Sequence, residues 1–463
     1  MVAGEIARQS WPADPIQKSS NSGFERRREK MNMQVTGEAM VGRRGFLTWG
    51  GRLAAAGAVG TFLPAHAWAL AAEKYPTIKA QFESYVSSGK LPGVLATIGR
   101  QAGLPDVVAV GTQGLGDADP VDIDTLWRVY SMTKPITGMA AMILVGEGKM
   151  KLDQPIADFL PEFKNMTVLT DPEKSMEAVP AKTQITIRHL LTHTAGLGYS
   201  IITKGPLLQA YLDNGITPGI VSRFPLPGAP ASTPTPDLKT FSERLAKLPL
   251  IAEPGTKWSY SISLDLLGRV IEVASGMDFE AFLKTRIFEP LKMTSSYFQV
   301  PQSETKRLVS NYAPVNGVLF PIDPAPTSIY LDKPAFAFGG AGMVCSARDY
   351  DRFLNMLANY GELDGVRIMS AETAALAMSD LLPAAVSTDG TFADGAGFGA
   401  GGRVGKGVNA GIYGWGGAAG TVAFVNPKTK LRAVCMAQYM PSNVYPFHED
   451  FAKWVLKDLG LPA

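Results

Sequence analysis

The stretch Leu126-Trp-Arg-Val-Tyr-Ser131-Met-Thr-Lys134-Pro-Ile-Thr-Gly-Met-Ala-Ala-Met-Ile-Leu144 decides the reading of this chain. It sets a serine and a lysine three residues apart at the mouth of an apolar run long enough to be a buried helix. Residues at that spacing share a helix face, so the Lys134 amine can lie against the Ser131 hydroxyl. Partial desolvation lowers an amine's pKa and lets it accept a proton, which is how a serine nucleophile is activated without histidine. The same S-x-x-K pattern recurs at Ser87 to Lys90, in a Ser-Ser-Gly-Lys-Leu-Pro turn, and at Ser303 to Lys306, in a polar run. Only Ser131 opens a segment that can hold a nucleophile still.

Composition narrows the chemistry further. The chain has 463 residues, 46% of them hydrophobic, and a net charge of +2, enough for one large or two medium cores. No run of Lys or Arg interleaved with aromatics suggests nucleic acid. The Gly-rich stretches Gly339 to Gly342 and Gly395 to Gly405 lack the strand-to-helix context of a phosphate loop, and no cofactor is expected. Apart from His66 near the N-terminus, the histidines are His189, His193 and His448, and there is no G-x-S-x-G elbow. His189 and His193 stand four apart without the Glu of an H-E-x-x-H site, so structural roles are expected and no metal. Cys345 and Cys435 read as small buried hydrophobes.

The N-terminal region reads as an export leader. Arg43 and Arg44 form a twin-arginine pair followed by Phe46 and Leu47, an Ala- and Gly-rich segment from Leu53 to Leu63, and small residues at Ala65, Ala67 and Ala69. Residues 1–69 are therefore expected to be a twin-arginine signal cleaved near residues 67 to 69, and the protein to be periplasmic or secreted, touching the membrane only during export. The apolar core is too short for a membrane span.

Beyond the leader, strand-like runs at Val94 to Arg100 and Val107 to Gly111 follow a helical segment near Ile78 to Val86. Helical spacing then dominates at 131–148, 187–194, 241–248, 263–275 and 279–287. Strands return from Gly401, with a hairpin over 423–437, and Phe447 to Leu459 closes as a helix. Residues 222–238, with five prolines, read as a loop. This order predicts an α/β (α+β) fold: a sheet domain from residues 72–127 and 335–463, an inserted mainly helical domain over 128–334, and an active site between them.

Two more segments complete a site. Tyr260-Ser-Ile262-Ser precedes a helix and presents a phenol, and Trp415-Gly416-Gly417-Ala418 lies on a Gly-rich strand whose backbone a ligand can approach. In this order, Ser131-Met-Thr-Lys134, Ile185 to Leu197, Tyr260-Ser261, Gly339 to Asp349 and Trp415-Gly416-Gly417 resemble the serine β-lactamase and penicillin-binding-protein superfamily. Within it they look like the class C β-lactamase-like esterases called family VIII carboxylesterases, over roughly residues 75 to 460. The resemblance implies an antiparallel sheet flanked by helices and an acyl-enzyme on Ser131. Lys134 and Tyr260 would share the proton, and the backbone N–H groups of Ser131 and Ala418 would form an oxyanion hole. Trp415, Gly416, Gly417 and Ile262 would contact substrate. Where β-lactam-directed relatives have Tyr-x-Asn, Ile262 replaces the Asn, and Trp415 replaces the cation of their third motif. Both changes favour a small uncharged ester with a short apolar acyl group over a β-lactam. A β-lactamase or D-amino-acid amidase, an acyltransferase, and a sensor acylated without turnover are the alternatives.

Overall fold

The computed structural model describes residues 72–462 except 102, 220 and 225–231. The expected leader lies outside the described residues. Gly93–Arg100 (β1) and Asp106–Gly111 (β2) pair antiparallel, and β1 continues into a seven-stranded sheet with chain-distal strands. Those strands are Gly397–Phe398 (β6), Arg403–Val404 (β7), Tyr413–Gly416 (β8), Val422–Asn426 (β9) and Leu431–Met436 (β10). The order is β6-β7-β8-β9-β10-β1-β2, antiparallel throughout.

Side-chain alternation explains the layers on either side. Val94, Ala96 and Ile98 share one cluster with Phe82, Phe447 and Phe451 of the helices Pro76–Ser87 (α1) and Phe447–Asp458 (α10), whereas Leu95, Val434 and Met436 belong to the cluster on the opposite face. Both central strands are covered on both sides, which is why β10 is apolar at nearly every position. Its exception, Arg432, is buried and bonds the Asp351 carboxylate (Nε–Oδ1 2.8 Å) on helix Ala347–Ala358 (α8) and the carbonyls of Gln101 and Gly103. A fully satisfied guanidinium can lie in such a layer.

The second cluster does not stop at the sheet. It runs from Leu95 through helix Thr133–Gly146 (α2) to Ile187–Leu191 (α3), Gly205–Asp213 (α4), Leu238–Leu245 (α5), Ser263–Ser275 (α6), Phe279–Leu283 (α7) and Ala371–Ala377 (α9). The sheet and the helical insertion thus share one hydrophobic core. Helix α2 is buried at every position from Thr133 to Leu144 and packs against α6 and α9, as an all-round apolar helix must.

Boundaries shifted where the backbone is irregular. The expected helix start at Ser131 is a single 3-10 turn, Tyr130–Met132, and α2 begins at Thr133. Helix α7 ends at Leu283 and continues as a wider π-type turn, Lys284–Phe288. A small sheet, Leu126–Arg128 (β3) with Val344–Ser346 (β5) and Ser296–Tyr297 (β4), carries the chain into the Ser131 turn. There the Val129 N–H donates to the Met343 carbonyl (3.0 Å), so the segment after Gly340 lies beside the Ser131 turn. Cys345 and Cys435 are buried and unbridged. Among the described residues no helix is long and apolar enough to cross a membrane.

Candidate active site

Ser131 sits where β3 gives way to α2. Tyr130, just before it, has φ of +42°, a left-handed conformation that costs a non-glycine residue about 1–3 kcal/mol and persists where the surroundings impose it. The turn leaves Ser131 8% exposed, while Lys134, one turn on, has no exposed surface. Ser87 and Ser303, the serines of the other two S-x-x-K matches, are both exposed.

The Lys134 amine is held from several directions. It lies 3.2 Å from Ser131 Oγ, 2.7 Å from the Gly340 carbonyl oxygen and 3.5 Å from the Tyr199 hydroxyl. The faces of Tyr260 and Tyr199 stand 4.5 and 5.4 Å away, measured to ring centroids. An aromatic face and a carbonyl both stabilise an ammonium in a place water does not reach. The bond to Gly340 fixes the amine beside Ser131 Oγ.

Tyr260 belongs to an aromatic wall. Its oxygen accepts the Trp415 indole N–H at 3.1 Å, and its ring packs against His193, Tyr199, Trp258 and Trp415. His193 orders the segment that carries it. Its Nδ1 accepts the Ser261 N–H (3.2 Å) and lies 2.8 Å from Ser261 Oγ, while its own carbonyl accepts the Ser259 N–H (3.0 Å). Burial and the Lys134 charge push its imidazole well below the usual histidine range, so it is neutral. His189 completes a capping box with Thr186 at the start of α3, and burial brings its pKa down to about 4. Both histidines of the Ile185 to Leu197 segment are therefore structural.

Across from Ser131 lies the β8–β9 turn. Gly417 packs so closely on the β3 end that a Cβ there would sit 2.4 Å from the Val129 carbonyl oxygen, and only glycine allows that approach. His448 braces the turn, its Nε2 lying 3.1 Å from the Gly417 and 3.0 Å from the Thr421 carbonyl oxygen. Ala418 follows and shares with Ser131 the lining of one cavity of about 340 Å³. Among the described turn and loop hydrogen bonds, neither the Ser131 nor the Ala418 N–H donates to a carbonyl. The rest of the lining is largely apolar, including Val221, Phe298, Ile329, Phe338 and Met440.

The structure thus gathers Ser131, Lys134, Tyr260, Trp415 and Ala418 around one point. Ile262, expected to touch substrate, is a correction: it has no exposed surface. It stands at the N-cap of α6 with its N–H on the Gly198 carbonyl (3.1 Å), so its side chain turns into the core. Trp415 is half-buried and outside the cavity lining, and it supports Tyr260. Gly416 and Gly417 likewise act by close packing and do not line the cavity. Three participants escaped the sequence reading: Tyr199, the Gly340 carbonyl and Asp265 behind it. Tyr199 follows the His193 segment and Asp265 stands five residues after Tyr260, but nothing local marks either, because their partners are distant in the chain.

The family model described as Beta-lactamase matches residues 78–456. Esterase EstB of Burkholderia gladioli is 33% identical over 307 residues, 62% of this chain and 71% of EstB. Among solved structures, EstCE1, described as a hydrolase with promiscuous acyltransferase activity, is 23% identical with a TM-score of 0.67, over 84% of this chain and 99% of its own. A family VIII carboxylesterase is 19% identical with a TM-score of 0.61, over 83% and 96%. The two solved structures share the α/β architecture expected from the order of strands and helices. Fold, motif order and the family match agree: the chain belongs to the β-lactamase family.

Proposed function

We propose that this protein is a serine carboxylesterase working through an acyl-enzyme on Ser131, and the placement of the buried Lys134 amine 3.2 Å from Ser131 Oγ carries the reading. Lys134 takes the hydroxyl proton as Oγ bonds to the ester carbonyl carbon. The negative oxygen of the tetrahedral intermediate is met by the Ser131 and Ala418 N–H groups. Because the Tyr260 oxygen accepts the Trp415 N–H, the phenol keeps its own O–H to give to the departing alkoxide. The C–O bond breaks, the alcohol leaves, and water attacks the acyl carbon with the same groups returning the proton, which frees the acid and restores Ser131. EstB, an esterase by name, supports this reading.

The substrate is an uncharged ester. The cavity wall beside Ser131 is largely apolar, and the lysine in its lining, Lys333, is exposed and adjacent to Asp332, so a carboxylate buried beside Ser131 would be poorly paired. Turnover of p-nitrophenyl butyrate against nitrocefin tests this directly, and efficient nitrocefin hydrolysis with a silent ester would refute it. An acyltransferase reading has its own support in the size of the cavity, since about 340 Å³ is roughly twice the 150 Å³ that encloses benzene and leaves space for an acceptor alcohol beside a short acyl group. Adding a bulky alcohol to the ester assay and recovering the transferred ester separates the two. The proposed site of action is outside the cytoplasm: changing Arg43 and Arg44 to Lys should retain the activity in the cytoplasm, and unchanged extracytoplasmic activity would refute twin-arginine export.

A further inference from the structure

Asp265, in the first turn of α6, has no exposed surface. Its Oδ1 accepts the Gly340 N–H at 2.9 Å, and its Oδ2 has no partner. The other buried carboxylates of the described core are provided for differently: Asp323 pairs with Arg128, Asp351 with Arg432, and Asp349 accepts from Ser295 and Ser296. An unpaired carboxylate oxygen in an apolar interior is costly and calls for a reason. The residue it grips supplies one. Gly340 donates its N–H to Asp265 and offers its carbonyl to Lys134 at 2.7 Å, and a Cβ at Gly340 would lie 2.4 Å from Asp265 Oδ2.

We propose that Asp265 is a positioning residue for the Ser131–Lys134 pair: it fixes Gly340, whose carbonyl aims the Lys134 lone pair at the serine, and its charge stabilises the ammonium formed when Lys134 takes the serine proton. The inference rests on the proposed roles of Ser131 and Lys134. The remaining titratable groups around the amine are the phenols of Tyr199 and Tyr260 and the imidazole of His193, so Asp265 supplies the negative charge. Burial holds its carboxyl up at about 6, while the positive charge of Lys134 and the Gly340 N–H pull it down, so the ionised carboxylate is favoured as charge develops on Lys134.

The test follows the rate of Ser131 labelling by a fluorophosphonate against pH, read by intact mass, which needs no ester turnover. In Asp265→Asn, whose amide oxygen still accepts the Gly340 N–H, the acid limb of the labelling rate should move to lower pH by about one unit or more, with a plateau rate at least about tenfold lower. Asp265→Ser, which keeps an acceptor but no charge, should shift the limb the same way and serves if the Asn variant does not fold. A limb that stays in place in a folded variant, or moves to higher pH, overturns the proposal whether or not esters prove to be substrates. Labelling away from Ser131 in the unmodified protein overturns it together with the nucleophile assignment.

Discussion

The two walls around Ser131 are built on opposite principles. On one side His193, Trp258, Tyr260, Phe398 and Trp415 form a dense aromatic cluster with centroid separations of 4.9 to 6.2 Å, and a hydrogen bond joins Trp415 to Tyr260. On the other, Val221, Phe298, Ile329 and Phe338 stand back around a cavity of about 340 Å³. The packed wall holds reactive groups at fixed distances, where small displacements are expensive; the hollow wall leaves room and sets few polar demands. Rate should therefore reside in the first and substrate choice in the second.

The sharpest way to break that contrast is at the point both walls share. Ser131→Ala should lower ester turnover by at least about 10⁴-fold while thermal unfolding stays near that of the unmodified protein, because losing one hydroxyl creates almost no cavity. Residual activity within tenfold would place the nucleophile elsewhere. Next in size is substrate charge: kcat/KM for p-nitrophenyl butyrate should exceed that for nitrocefin by about two orders of magnitude or more, the scale expected when a charged group loses its partner. Trp415→Lys should slow ester turnover, since it removes the donor to Tyr260, and leave the gap in place, since Trp415 lies outside the cavity lining. Comparable efficiencies in the unmodified protein would mean that the hollow wall does not discriminate.

A finer cut separates the walls themselves. Val221→Trp should fill part of the cavity and lower kcat/KM for a naphthyl ester by about tenfold, the cost of displacing one or two kcal/mol of apolar contact, with p-nitrophenyl acetate little affected. Equal losses on both esters would show that the variant disturbs Ser131 and not the space around it. The smallest effect is on stability. Burial lifts Asp265 to about 6, so the folded state binds its proton more tightly than the unfolded chain does. The resulting stabilisation is complete below the unfolded carboxylate's pKa of about 4 and is lost as pH rises through about 6. Asp265→Asn has no proton to lose there, so its Tm relative to the unmodified protein should climb by a few degrees between pH 5 and pH 7.5. A constant difference would mean that Asp265 does not titrate in that range.

Much of this was legible in the chain, and the exceptions are physical. Two neighbours on one helical turn, Ser131 and Lys134, meet because the helix brings them together, and the apolar run behind them announces a buried helix on its own. The apolar, β-branched runs at Val94 to Arg100 and in the 423–437 hairpin likewise announce strands directly. Ile262 misled because an apolar side chain beside a motif is equally suited to lining a pocket or entering a core, and the choice was made by the backbone bond to Gly198 that turns it inward. Trp415 was placed in the right neighbourhood, but whether its indole met a ligand or a phenol depended on where the segment carrying Tyr260 packs, which His193 settles from some seventy residues away.

The sequence by itself determined the local chemistry: a serine with an amine one turn away, a phenol before a helix, a glycine-rich strand, and the order of strands and helices that carries them. Helical and strand periodicity and the reach of one helical turn are short-range rules, so they are written in neighbouring residues. The tertiary structure alone decided which carbonyl aims the amine, which carboxylate stands behind that carbonyl, and which wall was left hollow. Gly340 and Asp265 lie 206 and 131 residues from Lys134 in the chain, and their meeting is imposed by the packing of α2 against α6 within a shared core, where close-packed volume and the need to satisfy buried polar groups act between residues that no local pattern connects.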